Sequence, residues 1–380
     1  MSAPILYGSP RAQKGLIPKT IGSNGRTTTL GYTQRSSVSR YVVPPAILAP
    51  MAIGTNYGYN LGGEAPPTGS MTSSVQRYPF VSGTPSTNIG DMSSTRMNLA
   101  SVANPTSYYT AGGQIDRLSP PTRSATDVID RFPNTSGSVS ATSAGNLSNP
   151  GLYHIGYMNG NTGYFAGGTV FPGDPAEIFS LYTHDKYPFA AETISVLGSS
   201  LDPAISTSAS MATMSGAAGY INASSSTPNS YLIQKMPYAT EIFSALPTTQ
   251  TETSRGGSGH QSETNGYFAG SYQSTPTIVD GPISTFPFAS DTGAVVTIGT
   301  INSYAPRSIG SYGEIRHSYH TGSSSNVGGF ISGGNRYLAN LSKVWYDTII
   351  TFPFASTAPI TITGEGTLEA DNRLAIGTQS

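Results

Sequence analysis

Five histidines, nineteen lysines and arginines and twenty acids are what this 380-residue chain offers for chemistry, and their spacing decides what they could do. His317 and His320 stand three apart in Ile315-Arg316-His317-Ser318-Tyr319-His320, which on a strand sends them to opposite faces and leaves no shared metal site. There is no cysteine, so thiolate metal sites, thiol nucleophiles, disulfides and a Tyr-Cys copper cofactor are excluded together. No Gly-x-Ser-x-Gly elbow joins a strand to a helix, no phosphate loop ends in Lys-Ser/Thr, and no Asp-x-Asp-x-Asp calcium loop is present. The expectation is a protein that is not an enzyme and holds no cofactor or metal.

Two stretches instead carry binding chemistry. Residues 1–63 hold Arg11, Lys14, Lys19, Arg26, Arg35 and Arg40 with no acid before Glu64, a set suited to docking on an acidic protein surface or a nucleic-acid-laden shell. The connection from Ile301 to Asn326 holds Tyr304, Arg307, Tyr312, Arg316, His317, Tyr319 and His320, and arginines and aromatics on a loop held by a rigid scaffold are the usual material of recognition. Arg307, Tyr312, Arg316, His317, Tyr319 and His320 are therefore the candidate binding residues.

The elements that must position them follow from a repeat. Tyr78-Pro79-Phe80, Phe132-Pro133-Asn134, Tyr187-Pro188-Phe189, Met236-Pro237-Tyr238, Phe286-Pro287-Phe288 and Phe352-Pro353-Phe354 place prolines 54, 55, 49, 50 and 66 residues apart. A second phrase keeps step about twenty residues upstream: Gly58-Tyr59, Tyr108-Tyr109, Gly163-Tyr164, Gly219-Tyr220, Gly266-Tyr267 and Gly329-Phe330, four of the six copies running on into a Gly-Gly pair. Two phrases in one phase over six copies mark a blade-sized repeat.

Composition agrees. Only 10% of residues are charged while Gly (44) and Pro (28) are abundant, yet 37% hydrophobic content and 23 tyrosines suit pleated strands and not a disordered tract. Short apolar runs such as Ile194-Ser195-Val196-Leu197 and Met211-Ala212-Thr213-Met214 complete four strands per repeat, and no window shows helical periodicity. There is neither an eighteen-residue apolar run nor a signal peptide, so no membrane insertion is expected. The net charge of −1 argues against nucleic acid as a partner.

The fold class expected is all-β, a β-propeller with blades of four antiparallel strands. A proline in each copy cannot donate to a ladder and belongs at a strand end, its aromatic neighbours packing between blades. Ser37-Val38-Ser39-Arg40-Tyr41-Val42-Val43 matches Ser74-Val75-Gln76-Arg77-Tyr78-Pro79-Phe80, and Leu374-Ala375-Ile376-Gly377 is a strand in need of a partner. Seven blades are favoured on this count, the ring closing by pairing of N- and C-terminal strands. Six is the alternative, with residues 1–50 a docking arm and 51–380 the propeller.

The Gly-Gly strand resembles the kelch class of propellers, although the usual kelch tryptophan is absent and the one tryptophan is Trp345. Gly266-Tyr267-Phe268-Ala269-Gly270 paired with Phe286-Pro287-Phe288-Ala289-Ser290 looks more like repeat proteins of marine tailed phages, including those infecting cyanobacteria, over about residues 51 to 370. That resemblance implies a virion structural protein in a tail, fibre, knob or capsid surface, present in multiple copies and contacting other virion proteins. It carries over no catalytic residue. A host-surface glycan is the second partner considered, through a lectin-like receptor-binding propeller, and an axial-site glycan hydrolase is a third reading. The arginines Arg255, Arg307, Arg316, Arg336 and Arg373 share no single repeat phase, as a sialidase-type cluster would require.

Overall fold

The computed structural model describes residues 56–379 apart from 66–69, 81–83, 116–123, 135–136, 171–178, 200, 202–204, 226–230, 251–256, 271–280, 291–294, 302–320, 334, 338–342, 346–347, 355–362 and 368–375. The chain divides into two units, 1–46 and 47–380, and every described residue belongs to the second.

Each Gly-Tyr phrase forms the second strand of a blade, and each proline ends the third. The first blade contains β1 (Tyr57–Ala65), β2 (Ser70–Pro79) and β3 (Thr87–Asp91). The second is β4 (Ala100–Ala103), β5 (Ser107–Ala111), β6 (Val128–Pro133) and, beyond the short β7 (Val139–Ser140), β8 (Thr142–Asn146). The third is β9 (Ile155–Met158), β10 (Thr162–Ala166), a side hairpin of β11 (Thr169–Val170) and β12 (Phe179–Ser180), then β13 (His184–Pro188) and β14 (Ser195–Val196). The fourth is β15 (Ile205–Met214), β16 (Ala218–Ser225), β17 (Tyr231–Pro237) and β18 (Ser244–Gln250). The fifth is β19 (Ser258–Gln261), β20 (Asn265–Ala269), β21 (Pro282–Pro287) and β22 (Val296–Thr300). The sixth is β23 (Thr321–Ser324), β24 (Gly328–Ser332), a side hairpin of β25 (Asn335–Tyr337) and β26 (Lys343–Trp345), then β27 (Thr348–Pro353) and β28 (Thr363–Thr367).

The last strand, β29 (Ile376–Gln379), supplies the inner strand that the first blade lacks. It pairs antiparallel with β1, Gly58 opposite Gln379 and Leu61 opposite Ile376. Inner strands then neighbour one another in a closed cycle, β29 against β4, β4 against β9, β9 against β15, β15 against β19, β19 against β23 and β23 against β29. The molecule is thus a six-bladed propeller, and the seven-blade count is corrected. Closure needs one missing inner strand, and once the C-terminal strand fills it beside Tyr57–Ala65 no gap remains for a seventh sheet. The degenerate copy at 37–43 lies outside the described residues.

Both faces of a blade are covered by neighbours, so the second strand carries no polar-out alternation: all five residues of β5, β10 and β24 are buried. Near the axis the approach is closest. A Cβ on Gly259 of β19 would lie 1.6 Å from the Ala212 carbonyl oxygen of the preceding blade, so a side chain there would force the inner strands apart.

The antiparallel order sorts the connections by end. Turns between first and second strands and between third and fourth strands lie at one end of the ring. Connections between second and third strands, and from one blade to the next, lie at the other. The chain enters β1 at the first end, and the connection 301–320 joins β22 to β23 at the second.

Candidate functional site at the blade interfaces

The two phrases read from the sequence are the two halves of one contact. The second-strand aromatic of each blade stacks on the aromatic after the proline of the next: Tyr109 on Phe189 at 5.0 Å, Tyr164 on Tyr238 at 5.5 Å, Tyr220 on Phe288 at 5.1 Å and Tyr267 on Phe354 at 4.7 Å. Phe330 on Phe80, at 4.5 Å, closes the last blade on the first. Between the first two blades Asn134 replaces the aromatic, and its Oδ1 accepts a hydrogen bond from the Tyr59 hydroxyl at 3.2 Å. After each proline the next N–H donates to a carbonyl just ahead of the second strand, as Phe288 does to Thr264 at 2.9 Å, so the missing donor leaves no gap in the ladder. The expected place of proline at a strand end, with its aromatics between blades, is what the structure has.

Charge is added to this contact in two neighbouring interfaces. Arg131 donates to Glu192 Oε1 at 2.9 Å, and the Tyr109 hydroxyl reaches the same oxygen at 3.5 Å. One blade on, Lys186 lies 2.7 Å from Glu241 Oε1, to which the Tyr164 hydroxyl donates at 3.0 Å. Burial and then the adjacent glutamate push the Tyr109 ionisation upward, and burial, seconded by Glu241, does the same to Tyr164, so both hydroxyls stay protonated donors. Each glutamate ends a tight turn in which its own N–H donates to the proline carbonyl, Glu192 to Pro188 at 3.0 Å and Glu241 to Pro237 at 2.8 Å. Both have left-handed backbone, φ 49° and 55°. Such a conformation costs a non-glycine residue on the order of 1 kcal/mol or more, and an exposed ion pair returns at most about as much.

Several interior polar groups bond within or across the blades. Arg96, on the connection into β4, is fully buried and pairs with the equally buried Asp130 of β6, whose Oδ2 also accepts from the Ser93 N–H at 3.0 Å and hydroxyl at 2.9 Å. Arg96 also donates to the carbonyls of Gly112 and Val128 at 3.2 and 3.0 Å. Burial pulls its ionisation down and Asp130 opposes that pull. One blade on, Asp185 Oδ2 accepts from the Ser148 N–H at 2.9 Å, and burial raises its carboxyl. His260 Nδ1 donates to the Ser323 carbonyl of the next blade at 2.9 Å, so in the neutral ring Nε2 accepts from the Ser258 hydroxyl at 2.8 Å. His184 shares a hydrogen bond with the Tyr157 hydroxyl and packs on Phe243 of the following blade. His154 lies against Gly112, Gly151 and Gly168. Burial pulls His154 and His260 down to about 4 and His184 to about 3, so all three are neutral parts of blade contacts.

Arg11, Lys14, Lys19, Arg26, Arg35 and Arg40 lie outside the described residues, as do Arg307, Tyr312, Arg316, His317, Tyr319 and His320. Tyr319-His320 stands directly before β23 as Tyr153-His154 stands directly before β9, so these pairs are repeat counterparts in sequence. The Arg131–Glu192 and Lys186–Glu241 pairs were not singled out from the sequence. Their signal was present: a cation two residues before one proline accompanies an acid four residues after the next.

The closed cycle of four-stranded blades defines the class, a six-bladed β-propeller. No family model matches the chain, and no curated protein is similar to it in sequence. Among solved structures, that of YjhT is similar, with a TM-score of 0.55 at 9% identity, over 76% of this chain and 88% of that one. That likeness is one of fold.

Proposed function

We propose that this protein is a non-enzymatic structural component of a virion, in a tail, fibre, knob or capsid surface, that holds its neighbours through the two segments breaking the repeat. The topology is the observation that carries this reading. The chain enters β1 at Tyr57, at the end bearing the short turns, while β22 ends at Thr300 and β23 starts at Thr321 at the opposite end. A closed ring that the chain enters at one end, and whose repeat is interrupted between strands meeting at the other, suits a spacer between two partners. The kelch-like phrases and their likeness to marine phage repeat proteins supply the virion context. An axial hydrolase would need two carboxylates about 5 to 9 Å apart, whereas corresponding inner-strand positions hold Ser101, Gly156, Ala212, Gly259 and Gly322.

The test presents the full chain and a form lacking residues 1–45 to immobilised virion proteins and, side by side, to host-envelope glycans. Retention of the full chain on a virion protein, lost on truncation, is the expected result. Retention on glycans with none on virion proteins overturns the reading.

A further inference from the structure

In the second to sixth blades the turn from first to second strand is capped in one way. A side-chain oxygen on its first residue, Asn104, Asn159, Ser215, Ser262 or Ser325, accepts backbone N–H bonds from the residues two and three further on. Among these five caps one can react with its own backbone. The serines carry no carboxamide, and Asn104 is followed by Pro105, which has no N–H to give up. Asn159 is followed by Gly160. We propose that the turn between β9 and β10 is a self-modifying site, at which Asn159 loses ammonia to become aspartate or isoaspartate.

The Gly160 nitrogen gives its proton to hydroxide and attacks Asn159 Cγ, forming a five-membered succinimide. The Cγ–Nδ2 bond breaks, and Nδ2 takes a proton from water and leaves as ammonia. Water then opens the succinimide: cleavage at the side-chain carbonyl gives aspartate, and cleavage at the main-chain carbonyl gives isoaspartate. As the ring closes, negative charge develops on Oδ1, the atom to which the N–H groups of Asn161 and Thr162 already donate at 3.2 and 2.9 Å. The cap is thus an oxyanion hole for its own side chain. Gly160 leaves the attacking nitrogen uncrowded, since even an added Cβ would have nothing within 4 Å. Aspartate can accept the same two bonds that asparagine did, whereas isoaspartate lengthens the main chain between β9 and β10 by a methylene. Asn265-Gly266 is the contrast within the molecule. There the glycine is buried in β20 and paired on both sides, with Gln261 of β19 and Phe286 of β21, so the ladder holds the backbone extended and opposes ring closure.

The experiment holds the full-length protein in mildly alkaline buffer, native and in urea, and follows the peptides bearing Asn159 and Asn265 by mass spectrometry. Isoaspartyl methyltransferase labelling marks the isomerised product. Peptide mapping keeps both sites apart from Asn24-Gly25, which lies outside the described residues. In the native protein Asn159 is expected to react at least about tenfold faster than Asn265, and at least about tenfold faster than Asn159 does in urea, because one oxyanion donor is worth that much or more. In urea the two sites are expected to react alike, the turn and the ladder both being lost. Native Asn159 reacting no faster than in urea, or no faster than native Asn265, overturns the proposal.

Discussion

At the scale of the residue, Arg96 and Asp130 show how much of the polar chemistry of this chain is structural. Both are fully buried, and removing one leaves the other without its counter-charge. Arg96→Met is expected to cost about 3 to 5 kcal/mol of folding stability, whereas Arg96→Met/Asp130→Leu recovers most of it because no charge is then stranded. Denaturant midpoints of the two variants check this. The pair escapes a sequence reading for a physical reason: thirty-four positions separate partners that meet across two loops, and neither lies within the repeated phrases. Gly266 is the opposite case. It sits in a repeated phrase, and the structure supplies the reason, since a Cβ there would lie 2.6 Å from the Phe286 ring that covers it.

At the scale of the element, the strand that closes the ring separates two truncations. Removing residues 376–380 strips β1 of its inner partner and leaves an open sheet edge beside β4 and β23. That form is expected to lose its cooperative thermal transition and to associate. Removing residues 1–45 leaves the pairing of β29 with β1 in place, and the melting temperature is expected to stay within a few degrees of the native value. Calorimetry with size-exclusion chromatography on both forms reads the difference. Strand identity was legible because Gly-Tyr and Pro-Phe recur in one phase. Strand pairing was less so: Leu374 to Gly377 resembles every other inner strand and does not announce whether its partner is Ile5-Leu6-Tyr7 or Tyr57–Ala65. Nor could spacing show that Tyr220 meets Phe288, because rings stack both within a blade, as Phe268 does on Phe286, and across to the next.

At the scale of the whole molecule, neutral histidines at blade contacts tie the ring to pH. In the unfolded chain each histidine takes up a proton near 6.5, but in the ring His154 and His260 do so at about 4 and His184 at about 3. A lowered value means stability is full above pH 6.5 and declines as pH falls toward 4, by up to about 1.4 kcal/mol per pH unit for each group. His260→Gln is expected to make that decline about a third shallower between pH 6.5 and 4, and melting temperatures across this range test it. The clasp between Phe330 and Phe80 has a further consequence, in time. During synthesis the first blade emerges long before Phe330 and the strand Ile376–Gln379 that complete it. At about 5 to 20 residues per second the ribosome takes roughly 15 to 60 s to deliver them. Through that interval Phe80 and the inner edge of β1 await their partners, so the ring of the nascent chain stays one strand short of closure until Ile376–Gln379 have left the ribosome.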